Sequence, residues 1–164
     1  MAGTTGGSRA AARAPLLSGL SEDGWRVLLA HTEGLTFAAG DVVLQAGDRD
    51  RSLCLVSAGE LEVLVAAAGG GRRRQTIFEE GSVFGEQSFL DAGPRSADVR
   101  ALTPGRMRVL SHASFEDLPA AYPELALGIL LELGRVVSER LRGTTAYVTR
   151  LFADGAGGVE PPAR

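Results

Sequence analysis

The sequence contains few of the residues that build disulfides and metal centres. Its 164 residues include one cysteine and two histidines. A single cysteine excludes an intramolecular disulfide and any metal site made of several cysteines. Because Cys54 lies in an apolar, strand-like run, we predict a buried and unreactive thiol.

The two histidines do not form a catalytic pattern. His31 falls in an N-terminal helical region and His112 follows the last predicted strand, so we expect them to stay apart as surface or capping residues. A metal-dependent enzyme on a β-barrel, such as a cupin, needs several imidazoles and a carboxylate around its metal. No Ser/His/Asp or Cys/His arrangement with supporting context is present either. The sequence therefore predicts neither an enzyme nor a metal site.

Long apolar runs and lysine are also missing. No apolar run approaches the roughly 20 residues that span a bilayer, and residues 1–14 lack the apolar centre of a secretory signal. We therefore expect a cytoplasmic chain without membrane contact. All 17 basic residues are arginine and the net charge is −3, which argues against non-specific DNA binding. We interpret residues 1–14 and 153–164 as disordered tails around one domain at 15–152.

Glycines separate short apolar segments between about residues 35 and 111. Such evenly punctuated strands are typical of an antiparallel barrel or roll. A helical pattern over residues 16–32 precedes them, with Ser21 as its N-cap. Behind them, Ser114 is predicted to cap a short helix, and Pro123 opens a long helix at about 123–151.

The most informative segment runs from Phe84 to Ala97. It places the carboxylate of Glu86 and the guanidinium of Arg95 nine positions apart, around a short helical turn and a Gly-Pro corner. The carboxylate can accept from a ribose hydroxyl, and the arginine can donate two parallel hydrogen bonds to a phosphate. An ordinary surface salt bridge explains the same spacing. Residue types and spacing alone leave both interpretations open.

The segment 81–101 resembles the phosphate-binding cassette of the cyclic nucleotide-binding domain family. That family includes the bacterial catabolite activator protein, the regulatory subunit of the cAMP-dependent kinase and cyclic-nucleotide-gated channels. Phe84-Gly85-Glu86 and Arg95-Ser96-Ala97 carry the resemblance, which extends over roughly residues 16–152. It implies a mainly β fold: an antiparallel eight-stranded β-roll (jelly-roll-like, a double-stranded β-helix) with an N-terminal helix and a long C-terminal helix.

The resemblance implies roles for individual residues. Glu86 would hold the ribose 2′-hydroxyl and Arg95 the cyclic phosphate of cAMP, with cGMP or a dinucleotide as alternative ligands. Two adjacent threonines match the hydroxyl residues that the bacterial activator presents to the base, although helix threonines also bond back to their own turn. The predicted ligand-binding residues are Phe84, Gly85, Glu86, Gln87, Ser88, Arg95, Ser96, Ala97, Thr144 and Thr145.

The long C-terminal helix carries two apolar stripes. One stripe, which includes Ile129 and Leu133, is predicted to cover the barrel. The other has the 3-4 spacing of a coiled-coil seam and predicts a homodimer. A single wide stripe that only covers the barrel is the alternative. The residues predicted to form the dimer seam are Leu127, Leu130, Val137, Leu141 and Val148.

Three consecutive arginines, Arg72, Arg73 and Arg74, follow a predicted hairpin tip at Gly69–Gly71. A patch that binds phosphate or nucleic acid is one interpretation. We favour the solvated start of an exposed strand, because neighbouring residues in a strand point to opposite faces and cannot all reach one ligand.

These patterns favour a regulatory module that binds a cyclic nucleotide and signals to an effector protein through movement of its C-terminal helix. We expect a stand-alone module that does not bind DNA by itself, since the sequence shows no helix-turn-helix. The alternative is a degenerate domain of the same fold that only mediates protein contacts or dimerisation. The presence of both Glu86 and Arg95 argues against that alternative.

Overall fold

The computed structural model of the chain describes residues 17, 19–67 and 70–155. The predicted tail at 1–14, most of the predicted tail at 153–164, and Gly69 of the predicted hairpin tip lie outside these residues. The elements, in chain order, are α1 (Glu22–Ala30), β1 (Glu33–Phe37), β2 (Val42–Leu44), β3 (Leu53–Ala58), β4 (Leu61–Ala66), β5 (Arg72–Phe78), β6 (Val83–Phe84), α2 (Glu86–Asp91), β7 (Asp98–Ala101), β8 (Gly105–Leu110), α3 (His112–Glu116), α4 (Leu118–Ala121) and α5 (Pro123–Gly155).

The eight strands form two four-stranded antiparallel sheets, with strand orders β1-β8-β3-β6 and β2-β7-β4-β5. One apolar cluster contains side chains from both sheets, among them Phe37, Val56, Leu61, Phe84 and Val99. The predicted mainly β roll with flanking helices is therefore confirmed. Cys54 belongs to this cluster, and burial raises the pKa of its thiol to about 12, so the expected buried thiol is confirmed.

Capping serines define the starts of α1 and α3. Ser21 Oγ accepts from the Gly24 N–H at 3.1 Å and begins α1, as predicted. The predicted cap at Ser114 is wrong, because helix α3 begins two residues earlier, at His112. Ser111 is the cap, and its Oγ accepts from the Ser114 N–H at 3.0 Å. Ser114 thus occupies the third helical position, whose N–H an N-cap side chain normally binds.

Helix α5 begins at Pro123, as predicted, and continues to Gly155. Its first half packs on a second apolar cluster, which contains side chains of the other four helices and of strands β3, β6 and β8. The predicted barrel-covering stripe is buried: Ala126, Ile129, Leu133 and Val136 are at most 4% exposed. In contrast, every residue from Leu141 to Arg150 is exposed. The two stripes therefore differ in burial, whereas the predicted homodimer stays a prediction.

The predicted separation of the histidines is consistent with their contacts. His31 lies edge-on to Tyr122, while His112 contacts Arg51 and packs against Phe89. Within the described residues, no group of three or more His, Cys, Asp or Glu side chains is placed to hold a metal ion. No helix in that part of the chain is long and apolar enough to cross a membrane.

Candidate functional site

A cavity of about 810 Å³ opens between the sheet β2-β7-β4-β5, the segment around α2, and helix α5. Nine of the ten predicted ligand-binding residues line it: Phe84, Gly85, Glu86, Gln87, Ser88, Arg95, Ser96, Ala97 and Thr144. Thr145 is not among the lining residues. Other walls of the cavity are formed by Leu44, Val63, Val65, Arg73, Arg74, Gln75, Thr76, Phe78, Val99, Arg140, Gly143 and Tyr147.

Gly85 allows the chain to turn sharply from β6 into α2. Its φ of 87° lies in the left-handed region, which favours glycine. A Cβ at this position would lie 2.6 Å from Arg95 Nη1 and 2.7 Å from the Ser52 carbonyl oxygen. The missing side chain therefore lets the arginine pass close to the backbone that precedes Glu86.

Arg95 is the most constrained cation of the cavity. It is 4% exposed, although it belongs to a residue type that is seldom buried. Its Nη1 donates to the Gly85 carbonyl at 3.1 Å, and its Nη2 donates to the carbonyl and Oγ of Ser52 at 2.8 and 3.0 Å. Nη2 also forms an ion pair with Asp50. The buried Nε has no hydrogen-bond partner among the described residues.

Asp50 is held in place by Ser52. Its carboxylate accepts from the Ser52 N–H at 3.1 Å and from the Ser52 hydroxyl at 2.6 Å. Burial raises the pKa of Asp50, but the Ser52 hydrogen bond and the Arg95 guanidinium outweigh this effect and hold the pKa below its ordinary value. Sequence reasoning missed both residues, because they precede Arg95 by 45 and 43 positions and carry no local motif.

Glu86 is 3% exposed and begins α2. Its Oε2 lies 2.5 Å from Nη1 of Arg140, a residue of the long helix. Arg140 Nη2 also donates to the Val83 carbonyl at 2.5 Å, and the guanidinium lies 5.3 Å from the centre of the Phe78 ring. Helix α5 is thus tied by one side chain to β5, β6 and α2.

Sequence reasoning also missed Arg140. A signal was present, because Arg140 precedes Thr144 by four residues, and residues at that spacing share one helix face. Thr144 Oγ1 donates back to the Arg140 carbonyl at 3.0 Å, as helix threonines commonly do. Gly143 and Tyr147, rather than Thr145, complete the helical wall of the cavity.

Smaller polar groups surround the two charged residues. Ser96 Oγ donates to Gln87 Oε1 at 2.9 Å and so joins the end of the 84–97 segment to its start. Ser88 is 2% exposed, and the small Ala97 leaves the space above β7 open. These contacts hold the two ends of the 84–97 segment together.

The three consecutive arginines lie at the exposed start of β5, as predicted. Arg73 and Arg74 line the cavity, and Arg72 does not. Arg72 pairs with Asp98, and Arg74 pairs with Glu62. Arg100 contacts the other oxygen of Glu62, and hydrogen bonds from Arg100 and Arg74 hold the pKa of this carboxyl below its usual value. Arg73 lies opposite Val65 in the ladder, and both residues line the cavity.

The fold and the cavity together define a β-roll domain with a charged internal cavity. A family model described as "Cyclic nucleotide-binding domain" matches residues 35–122, more than half of the chain. The chain therefore belongs to the cyclic nucleotide-binding domain family, and the resemblance noted in the sequence is confirmed.

Relatives with established names come from two branches of this family. The "Cyclic AMP receptor protein" of Thermus thermophilus is 26% identical over 155 residues, which cover 87% of this chain and 72% of that protein. A "cAMP-dependent protein kinase regulatory subunit" of Hypocrea atroviridis is 32% identical over 104 residues, 63% of this chain and 21% of that one. The crystal structure of Thermus thermophilus catabolite activator protein superposes with a TM-score of 0.74 at 26% identity, covering 84% of this chain and 62% of that chain. This chain thus matches only part of the length of each relative.

Proposed function

We propose that this chain binds a cyclic nucleotide, with cAMP as the first candidate and cGMP as the alternative, and transmits binding through helix α5. The observation that carries the proposal is the Arg95 guanidinium. It is buried in the cavity wall, and its Nε–H has no partner among the described residues. A buried donor without a partner is costly, and an anionic ligand in the cavity would satisfy it. The names of the relatives favour cAMP.

Glu86 and Arg95 divide the recognition of such a ligand. The Arg95 guanidinium attracts the cyclic phosphate, and Ser96 supplies a neighbouring hydroxyl donor. Glu86 Oε2 is engaged by Arg140, which leaves Oε1 to accept from the ribose 2′-hydroxyl. Thr144, Gly143 and Tyr147 then lie on the side of the cavity where α5 closes over the base. Thr145 does not line the cavity, so it can contact the base only if α5 rotates or if Thr145 of a second protein chain reaches the ligand.

Signalling follows from the contact between Glu86 and Arg140. A ribose that binds Glu86 changes the partners of the carboxylate that holds α5 against the roll. The ligand can shift the position of α5 only as far as its affinities for the two positions differ. Since residues 141–150 are all exposed, a small change at Arg140 alters the surface that this part of the helix offers.

Dimerisation and the choice of effector belong to the same proposal. Leu127 and Leu141, from the predicted dimer seam, are 58% and 65% exposed. Such a row of exposed apolar residues favours contact with another chain. We expect a homodimer, an effector protein of unknown identity, a cytoplasmic location, and no catalysis, no membrane contact and no DNA binding by this chain alone. The same row also favours the second candidate, a degenerate domain that only mediates protein contacts.

Isothermal titration calorimetry with cAMP and then cGMP tests the proposal. Truncating one partner of a buried charge pair costs roughly 2–5 kcal/mol, so Arg95→Ala is expected to weaken binding by roughly 30- to 3000-fold. Arg106→Ala, on the exposed face of β8, is the matched control and is expected to bind like the parent. Arg95→Lys keeps the charge but loses the planar fork, and is expected to bind weakly while folding normally.

Two outcomes contradict the proposal. If the folded parent binds neither nucleotide, the protein-contact candidate replaces it. If Arg95→Ala binds as tightly as the parent, the ligand lies elsewhere and the assignment of the cavity is wrong.

A further inference from the structure

Arg51 joins three parts of the chain through one nitrogen atom. Its Nη2 donates to the Phe89 carbonyl of α2 at 3.1 Å, and the same Nη2 lies 2.6 Å from Nε2 of His112, the first residue of α3. Arg51 itself belongs to the loop between β2 and β3. A single guanidinium thus connects this loop with two helices.

The same loop holds the arginine that is proposed to bind phosphate. Arg51 lies between Asp50 and Ser52 in the sequence, and both of these neighbours contact the Arg95 guanidinium. A displacement of Arg51 therefore moves two contacts of Arg95. Through Arg51, His112 is connected to the cavity although it does not line the cavity itself.

The contact between Arg51 and His112 fits only a neutral imidazole. Arginine carries donors alone, so His112 Nε2 must offer its lone pair, and the ring proton is assigned to Nδ1. Nδ1 lies 3.4 Å from Glu116 Oε1, which favours this tautomer. Protonation of the ring would place an N–H against the arginine N–H and two positive charges side by side. The contact therefore depends on the protonation state of the histidine.

The ring of His112 has few charged neighbours. Among the described residues, it contacts Arg51 from the loop, Phe89 from α2, and Phe115 and Glu116 from its own helix. Glu116 is 66% exposed, so its attraction for a protonated ring is screened by solvent. Arg51 is closer and only partly exposed, and its repulsion therefore dominates.

The other carboxylates of the neighbouring elements have partners of their own. On α2, Glu86 pairs with Arg140, and Asp91 binds the turn that follows the helix. In the loop, Asp50 pairs with Arg95, and the pKa of Asp50 lies below its ordinary value. This carboxylate therefore keeps its charge over the pH range in which histidines titrate.

We propose that His112 is a positioning residue for Arg95 and makes the nucleotide affinity depend on pH. This inference rests on the proposed function, because it concerns the affinity of the same cavity. With a neutral ring, Arg51 is held between α2 and α3, and the loop keeps the contacts of Arg95 in place. With a protonated ring, Arg51 loses its acceptor on α3, the loop shifts, and the affinity falls. Histidine changes its charge between about pH 5 and 8, so the effect lies in the physiological range.

Linkage gives the proposal a second observable. Since the neutral state binds the nucleotide better, binding must release protons wherever His112 is protonated in the free protein. Calorimetry in two buffers with different ionisation enthalpies measures the number of protons released.

Titration of the full chain with cAMP and with cGMP at about pH 7.5 and about pH 5.5 tests the inference. We expect the affinity of the parent to be at least about 5-fold lower at the acid pH, which is the lower end of typical couplings between two sites. Proton release is expected on binding at about pH 6.5. Circular dichroism defines the pH range over which the chain is folded, and the titrations stay within it.

The two histidines of the chain provide matched variants. His112→Gln keeps an acceptor for Arg51 but cannot titrate, and is expected to bind equally at both pH values and to release no protons. His112→Lys carries a fixed charge and is expected to bind more weakly than His112→Gln even at neutral pH. His31→Gln is the control, because His31 contacts the Val27 carbonyl and Tyr122, neither of which lines the cavity; it is expected to keep the pH profile of the parent.

The possible failures are distinguishable. If the parent binds neither cAMP nor cGMP, the proposed function is wrong and this inference falls with it. If the parent binds a nucleotide equally at both pH values, or if His112→Gln keeps the pH dependence of the parent, the proposed function stands and the role of His112 is wrong.

Discussion

The two halves of helix α5 have almost opposite environments. Up to Arg140, one stripe of the helix is buried against the roll and the short helices, with Ile129 and Leu133 fully buried. Beyond Arg140, all residues to Arg150 are exposed, including large apolar side chains such as Leu141. Packing therefore stabilises the first half, whereas the second half depends on helix propensity and on what binds it. Arg140 stands at the junction and pairs with Glu86, which lines the cavity.

The largest expected difference between the halves is in their response to truncation. Leu133→Ala removes a fully buried side chain and is expected to lower the free energy of unfolding by about 2–5 kcal/mol. Leu141→Ala, the matched control in the exposed half, is expected to change it by less than about 0.5 kcal/mol in the monomer. Urea titrations at low protein concentration measure both. Equal losses for the two variants would contradict the division of the helix.

If the stability lost in Leu141→Ala grew with protein concentration, the variant would report on association between chains. It would show that this residue is covered in an oligomer, as the predicted homodimer requires.

An intermediate effect is expected at the junction. Arg140→Met leaves the buried Glu86 carboxylate without its cation and is expected to lower the free energy of unfolding by about 1–2 kcal/mol, since Arg140 is itself partly exposed. Arg142→Met, an exposed arginine two residues further on, is the control and is expected to behave like the parent.

The same pair of variants tests signalling. Hydrogen exchange of residues 141–155, measured with and without saturating cAMP, is expected to respond to ligand in the parent and in Arg142→Met. In Arg140→Met, we expect the response to be lost while the nucleotide still binds. An unchanged response in Arg140→Met would mean that the signal reaches α5 by another contact.

The smallest effect is expected from a glycine in each half. A Cβ at Gly143 or at Gly134 would meet no atom within 4 Å, so alanine is sterically tolerated at both positions. Gly143→Ala is expected to stabilise the exposed half by up to about 1 kcal/mol, visible as slower amide exchange there. Gly134→Ala, in the packed half, is expected to leave the exchange of residues 141–155 unchanged. A similar slowing in both variants would show that the two halves fold as one unit.

Only part of the cavity could be predicted from local sequence. Glu86, Arg95 and Gly85 lie within one segment, so the resemblance of that segment to a family motif predicts them together as a ligand site, although their spacing alone leaves a surface salt bridge open. Asp50 and Ser52, which hold Arg95, come from a loop 45 and 43 residues earlier, and only strand pairing brings them close. Contacts of that kind leave no periodic pattern in a sequence.

Two details of the helices could not be predicted to the exact residue: which threonine of α5 lines the cavity, and which serine caps α3. The sequence predicts Thr144 and Thr145 together as ligand contacts, but consecutive helical residues point about 100° apart, and only Thr144 lines the cavity. Ser114 and Ser111 are both good capping residues, and their order along the chain did not reveal which one begins α3. Such choices depend on where tertiary packing sets the register of an element.

The amino-acid sequence by itself determined the class of fold, the family, the segment proposed to bind the ligand and the two stripes of the long helix. These features rest on glycine spacing, on apolar periodicity and on a short motif, all of which act over a few residues. Tertiary structure alone decided that Arg140 contacts Glu86, that Asp50 holds Arg95, and that Arg51 contacts His112. Those pairings join residues far apart in the chain, and their energies depend on burial, which only the folded arrangement of sheets and helices creates.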